Sequence, residues 1–346
     1  MKHKPRVCIV TPARPEANNG NWHTAARWQR FLAPLAEVDV VQQWPSHGED
    51  DGADALIALH AWRSAASIER FHAAHPERPL ALVLTGTDLY RDLERQAGAR
   101  HALQCATHLV VLQQEAIASL GPGDRARARV IEQSATRILR HDPARSSFDF
   151  IAVGHLREAK DPLTLIAAAR LLPQRLANGL PPRVLHIGAA LEEDLAEAAR
   201  RAAAECPRYR WLGSRSAPAT RRWMARSRAL VHMSRMEGGA HVVIEAIRSR
   251  VPVLASRIDG NIGLLGRDYD GYFPAGDAAA LVVLMQRFAA EPAFAAHLAA
   301  QCAVREPRFA PAAEQGRVRA LLADLLASRG EQPLRQSSPS PRRASP

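Results

Sequence analysis

Two acids eight residues apart, Glu237 and Glu245, bracket the run Gly238-Gly239-Ala240-His241-Val242-Val243-Ile244. Carboxylates at that spacing can reach opposite ends of one elongated ligand, each accepting hydrogen bonds from hydroxyls. The surrounding residues supply a frame for them. Residues 229–233 are an apolar run of strand length, and residues 241–247 read as the first two turns of a helix. The glycine turn between them lets backbone approach a ligand closely. A helix start adds free N–H groups and the positive end of its dipole. A surface loop followed by an ordinary helical glutamate accounts for the spacing equally well, so the rest of the chain has to decide.

A second cluster lies in Gly154-His155-Leu156-Arg157-Glu158-Ala159-Lys160-Asp161-Pro162. Asp161 as N-cap and Pro162 at the first helical position predict a helix over about 163–176. Arg157 and Lys160 then stand between the end of a strand (148–153) and a helix N-terminus. Two cations plus free N–H groups there are what a diphosphate needs. Lys160 is also unusual in composition: of 46 basic residues, only Lys2, Lys4 and Lys160 are lysine. An ammonium is a compact point charge, unlike a planar guanidinium. Surface-charge decoration is the alternative reading.

The elements that must position these residues form two similar series. Strands are predicted at 6–10, 38–42, 54–59, 79–84, 108–112 and 129–131, with a loop over 13–21 and a first helix over about 22–35. Trp22, Ala26, Trp28, Phe31, Leu32 and Leu35 are expected on that helix's buried side. Residues 141–147, with Asp142-Pro143, read as a linker. A second series follows, with strands at 148–153, 183–187, 209–213, 229–233 and 251–256. A second glycine loop is expected over 257–263, and later helices over 277–290, 292–303 and 310–327. Strands alternating with helices predict an α/β chain with mainly parallel sheets, whose ligands lie beyond the carboxyl ends of the strands.

In the first series Gly20, Asn21, His23 and Thr24 stand at the start of the first helix, for capping or for ligand contact. His60 and Thr85-Gly86-Thr87-Asp88 end successive strands on the side of the presumed cleft. A structural histidine and a capping Asp88 are the alternatives there.

Length and composition bound the rest. With 346 residues and 47% hydrophobic content, two domains with ordinary cores are expected. No apolar run approaches the roughly 18 residues of a membrane span. The start leads directly into a strand without a signal-peptide core. The four cysteines, Cys8, Cys105, Cys206 and Cys302, are widely separated. They read as buried thiols of a cytoplasmic protein rather than as disulfides or metal ligands. The net charge of +11 comes from scattered arginines and from the last segment, which reads as a disordered tail. Without an aromatic-interleaved stripe or a reading module, small anionic substrates fit better than nucleic acid.

Taken together, the two α/β halves, the G-x-L-R-x-x-K element and the E-x7-E loop resemble the retaining, nucleotide-sugar-dependent glycosyltransferases of the GT-B type. The resemblance covers residues 6 to about 326. It implies two Rossmann-like domains with a cleft between them: 1–145 for the acceptor and 146–310 for the donor. A helix over 311–327 is expected to pack back toward the N-terminal domain, with 328–346 as tail. By that resemblance no metal or other cofactor is needed. Arg157 and Lys160 would bind the donor diphosphate, Glu237 the sugar hydroxyls and Glu245 the ribose. The backbone of Gly238, Gly239, Ala240 and His241 would support sugar and phosphate. The uracil pocket is expected near Gly188 and Gly213.

Four longer runs are similar to a narrower family, the selenosugar synthases of selenoneine biosynthesis: residues 84–90, 154–162, 234–240 and 255–263. That family joins a UDP-sugar, UDP-N-acetylglucosamine or UDP-glucose, to selenophosphate, and a C–Se coupling enzyme acts downstream. Many GT-B transferases carry a cleft histidine where this chain has Thr85-Gly86-Thr87-Asp88. Selenophosphate is already anionic and strongly nucleophilic, so a histidine base would matter less. Gly20, Asn21, Thr24, His60, Thr85 and Thr87 are the expected acceptor contacts, with His60 for positioning or proton handling. The rival readings are a transferase acting on a carbohydrate or lipid alcohol, for which His60 would be indispensable; a UDP-sugar epimerase; and a non-catalytic sensor or nucleic-acid binder.

Overall fold

The computed structural model describes residues 4–14, 20–46, 52–137 and 141–328. Part of the expected first loop, residues 15–19, and the tail beyond 328 lie outside the described residues. The apolar runs become two six-stranded sheets. The first holds β1 (Arg6–Val10), β2 (Glu37–Val41), β3 (Ala55–Leu59), β4 (Leu80–Leu84), β5 (His108–Val111) and β6 (Ala128–Val130) in the order β2-β1-β3-β4-β5-β6. The second holds β7 (Phe148–Val153), β8 (Pro182–Ile187), β9 (Tyr209–Trp211), β10 (Ala229–His232), β11 (Val253–Ser256) and β12 (Tyr272–Phe273) in the order β12-β11-β10-β7-β8-β9. Neighbouring strands pair in parallel throughout both sheets.

Parallel sheets are covered on both faces, which is why β3 and β4 are apolar and buried at every position. Alternation within β1 divides the first core in two: Val7 and Ile9 face one layer of helices, Cys8 and Val10 the other. The helix Pro311–Ser328 joins the first of these layers, where Val318, Leu321, Leu322 and Leu325 pack with Trp28 and Leu32. A separate core fills the second half, built around Phe150, Ile151, Leu230 and Leu254. All four cysteines are buried, and no two of them form a disulfide. Among the described residues no single helix is long and apolar enough to cross a membrane.

Three local expectations are corrected. The first helix is Gly20–Leu32, and Leu35 lies beyond it at 45% exposure rather than on the buried side. The helix Pro162–Leu171 stops before Leu172, whose ψ of 146° is extended, because Pro173 clashes with a helical residue ahead of it. The expected loop over 257–263 is largely a helix, Asp259–Leu265. Its glycines are there for close approach: a Cβ on Gly260 would lie 2.3 Å from the Glu237 carbonyl, and one on Gly263 would lie 1.9 Å from Gln113 Oε1.

Candidate active site

In the second sheet the strand order reverses between β7 and β10. Strand β7 runs into residues 154–160 and β10 into 233–240, so both polar clusters emerge at the switch point, where open α/β sheets bind ligands. There the Lys160 ammonium pairs with Glu237 Oε1. The Ser234 hydroxyl donates to the same oxygen at 2.6 Å, and His232 Nε2 stands 3.4 Å from it. Among the described residues, no donor meets the other carboxylate oxygen, Oε2. Burial alone would raise the Glu237 carboxyl, but Lys160 and His232 hold it far below the usual carboxylate range. Glu237 is therefore ionised throughout the neutral range.

The two turns are pinned together. Arg235 N–H donates to the Ala159 carbonyl at 3.0 Å, and its guanidinium Nε to Asp161 at 2.9 Å. Asp161 adopts a left-handed φ of 48°, which its short polar side chain tolerates, and caps the helix through Thr164. Arg157 carries a buried Nε without a hydrogen-bond partner among the described residues. An orphaned buried donor costs about 1–3 kcal/mol until a ligand accepts from it. Glu245 lies in the second turn of the helix His241–Arg248, and no donor among the described residues meets its carboxyl. Burial pushes its carboxyl up to about 6, against a smaller downward pull from Arg221.

Other predicted contacts take different places. The His241 ring leaves the loop, and Nε2 meets the Ser134 carbonyl of the first half at 3.1 Å. Burial, and then Arg27, lower its pKa to about 4, so the ring is neutral at pH 7. Gly188 N–H bonds to the Gly213 carbonyl, and Trp211 donates to the Gly188 carbonyl, so Gly188 has no free N–H to offer a base. It instead allows close packing on Gly154, whose carbonyl a Cβ at 188 would meet at 1.9 Å.

The two halves touch backbone to backbone at the cleft. A Cβ on Gly238 would lie 2.4 Å from the Thr85 carbonyl, and one on Gly86 would lie 2.6 Å from Gly238 N. Asp88 shapes the Thr85–Thr87 loop by accepting from the N–H groups of Ala61, Thr85 and Gly86. His60 sits under this loop, only 3% exposed, with a φ of 75°. Positive φ in a histidine is uncommon and marks a position its surroundings over-determine. Thr87 Oγ1 lies 3.3 Å from His60 Nε2, with Asp88 and Asp92 about the ring at 4.0 and 3.9 Å. Burial lowers the His60 pKa despite the carboxylates, so the ring is neutral at pH 7 and reaches the cleft through Thr87.

Thr24 is buried and donates to the Gly20 carbonyl while accepting from Gln133. Its hydroxyl proton is therefore used internally. Gly20 is exposed and Asn21 half-buried at the same helix start. The sequence reading missed His232 and Asp92. His232 carried a signal, as the one titratable residue in an apolar strand. Among the described residues no cluster of three His, Cys, Asp or Glu side chains is placed to hold a metal ion.

Two Rossmann-type halves with a charged cluster at the switch point of the second define the GT-B glycosyltransferase fold. Within that class, residues 140–302, the half holding Lys160 and Glu237, match the family model of the glycosyl transferases group 1. HepE of Anabaena, solved with UDP and glucose, superposes with a TM-score of 0.72 at 16% identity, over 93% of this chain and 100% of that one. Sucrose-phosphate synthase of Thermosynechococcus elongatus gives 0.74 at 16% identity, over 94% and 100%. The pneumococcal O-GlcNAc transferase GtfA, solved with UDP and GlcNAc, gives 0.60 at 14% identity, over 79% and 57%. No curated protein matches the chain in sequence.

Proposed function

We propose that the chain transfers the sugar of a UDP-sugar, UDP-N-acetylglucosamine or UDP-glucose, to selenophosphate. With water, the products are a 1-selenosugar, UDP and phosphate. The observation that carries the donor half is the convergence of Lys160 and Glu237 at the switch point, with Glu237 Oε2 and Arg157 Nε still to be satisfied. The UDP complexes of HepE and GtfA support the same choice. In this reading Arg157 and Lys160 offset the charge that develops on the departing diphosphate. Glu237 orients the sugar hydroxyls and Glu245 holds the ribose.

A selenium lone pair forms the new bond to C1 as the C1–O bond breaks and its electrons leave on UDP. Hydrolysis of the Se–P bond then frees phosphate, and the selenol passes to a C–Se coupling enzyme. The four runs similar to the selenosugar synthases support this acceptor. So does the close contact of Thr85-Gly86 with Gly238, which leaves no passage for a polymer between those loops. The N–H and O–H groups of Gly20, Asn21, Thr85 and Thr87 would bind the phosphate oxygens, with His60 orienting Thr87. An alcohol acceptor needs a general base. His60, buried beneath Thr87, is poorly placed to be one.

The deciding test is UDP release from UDP-N-acetylglucosamine with and without selenophosphate, with mass detection of the sugar. Selenophosphate-dependent UDP and a selenium isotope pattern on the product are expected. Donor binding without that dependence points to transfer onto an alcohol instead.

A pH effect follows from Glu245. Its carboxyl is raised to about 6 in the free protein, and ribose hydroxyls bond to the ionised form. Donor binding therefore draws the proton off. Affinity for the UDP-sugar should be full above pH 6 and fall as pH drops below it. Calorimetric titration between pH 5 and 8 checks this, and Glu245→Gln should flatten the acidic limb. Affinity that rises on acidification contradicts the assignment.

A further inference from the structure

We infer that His232 is a positioning residue for sugar transfer, holding the Glu237 carboxylate in the geometry that receives the donor sugar; the inference rests on the donor reading above. His232 ends β10, a strand buried at every residue, and is itself only 2% exposed. An apolar side chain would satisfy that position without burying a polar ring.

Hydrogen accounting sets what the ring does. The Ser234 hydroxyl has one proton and gives it to Glu237 Oε1 at 2.6 Å. Ser234 Oγ, 3.3 Å from His232 Nε2, is then an acceptor, as is Glu237 Oε1 at 3.4 Å from the same nitrogen. Two acceptors around Nε2 require the proton there. Nδ1, buried without a partner among the described residues, is the bare nitrogen.

Behind this group the frame is rigid. Ser256 Oγ donates to the Ser234 carbonyl at 2.5 Å, and Asn261 donates to the Ser256 carbonyl and hydroxyl. Glu237 Oε1 is thus held by Lys160 from the β7 turn, by Ser234 from its own loop and by His232 from the strand. Of the three, only His232 is anchored in the sheet. With Oε1 fixed at three points, Oε2 is left to the ligand in one orientation.

The test compares His232→Leu with His232→Gln. Leucine suits the strand and removes the donor, whereas the glutamine amide returns an N–H near the Nε2 position. For His232→Leu, kcat with UDP-N-acetylglucosamine should fall by about 10²-fold, as a small misplacement of a reacting group does. The melting temperature should hold, and His232→Gln should regain most of the rate. Binding supplies a readout apart from turnover, because Glu237 meets the sugar and not the nucleotide. His232→Leu should weaken UDP-sugar binding by about tenfold, the loss of one charge-assisted hydrogen bond, with UDP binding unchanged. Equal weakening of both ligands, or loss of rate and melting temperature together without rescue by glutamine, overturns the inference. Wild-type protein that binds UDP but no UDP-sugar overturns the donor reading itself.

Discussion

Lys160→Ala should lower kcat for sugar transfer by about 10³-fold, the scale of losing one preorganised electrostatic contact to a developing charge. Two effects act together. On the proposed reading the ammonium that offsets the leaving diphosphate is gone, and Glu237 loses the first of the partners that hold its proton off. With both side chains of the pair largely buried, burial then raises the Glu237 carboxyl unopposed by its nearest cation. A protonated Glu237 is a poorer acceptor for sugar hydroxyls, so donor affinity drops along with rate. Lys160→Arg should recover little. The planar guanidinium is larger and presents its charge through a fixed fork, in a site where one compact ammonium meets a single carboxylate oxygen. The two residues act as a unit, so Lys160→Ala combined with Glu237→Gln should cost much less than the sum of the single changes. Steady-state kinetics at saturating UDP-sugar measure the three single variants and the double one. A Lys160→Ala variant that keeps more than a tenth of the rate would reduce the pair to a structural role.

Much of this site was legible in the residues because its parts are local. Lys160 announces itself as the one lysine between Lys4 and the C-terminus, and Asp161-Pro162 marks the helix start it precedes. The Glu237–Glu245 spacing spans a single strand–turn–helix unit. What escaped was set by contacts between distant segments. No local pattern tells that the glycines of 260 and 263 are helical. They are glycines because Glu237 and Gln113 approach them. Thr24 looked like a ligand residue at a helix start. Its partner Gln133 is 109 residues away, and that contact is what draws its hydroxyl inward. Leu35 matched the apolar spacing of the first helix, yet the helix ends at Leu32 and the spacing has no helix to act on.

The largest effect on stability should come from Glu314, which has no exposure at all. Its spacing with Val318, Leu321 and Leu325 places it on the apolar stripe of the helix Pro311–Ser328, where a carboxylate needs partners. It accepts five bonds, from two other segments of the chain. Arg27 gives Nε at 2.6 Å and Nη2 at 2.9 Å, and Trp28 gives its indole N–H at 2.9 Å. Ser134, in the segment after β6, gives its backbone N–H at 2.8 Å and its hydroxyl at 2.5 Å. The carboxylate thereby ties the first helix, the last helix and the path between the two halves to one point. In Glu314→Ala these donors are left buried and unpaired, beside a guanidinium without its counter-charge. The cost should be about 3–5 kcal/mol, which for a chain of this size lowers the melting temperature by about 5 °C. Glutamine is no substitute. Every partner is a donor, so one side of its amide must turn N–H against N–H. Glu314→Gln should therefore lose at least half as much as alanine does. Arg27→Ala added to Glu314→Ala should recover part of the loss, because it removes the uncompensated charge. Thermal unfolding of the three variants decides the matter, and an unchanged midpoint for Glu314→Ala would contradict the argument. Because the Ser134 carbonyl also receives the His241 ring, loosening Ser134 reaches the start of the helix His241–Arg248. The same variants should raise the donor KM even at temperatures where they stay folded.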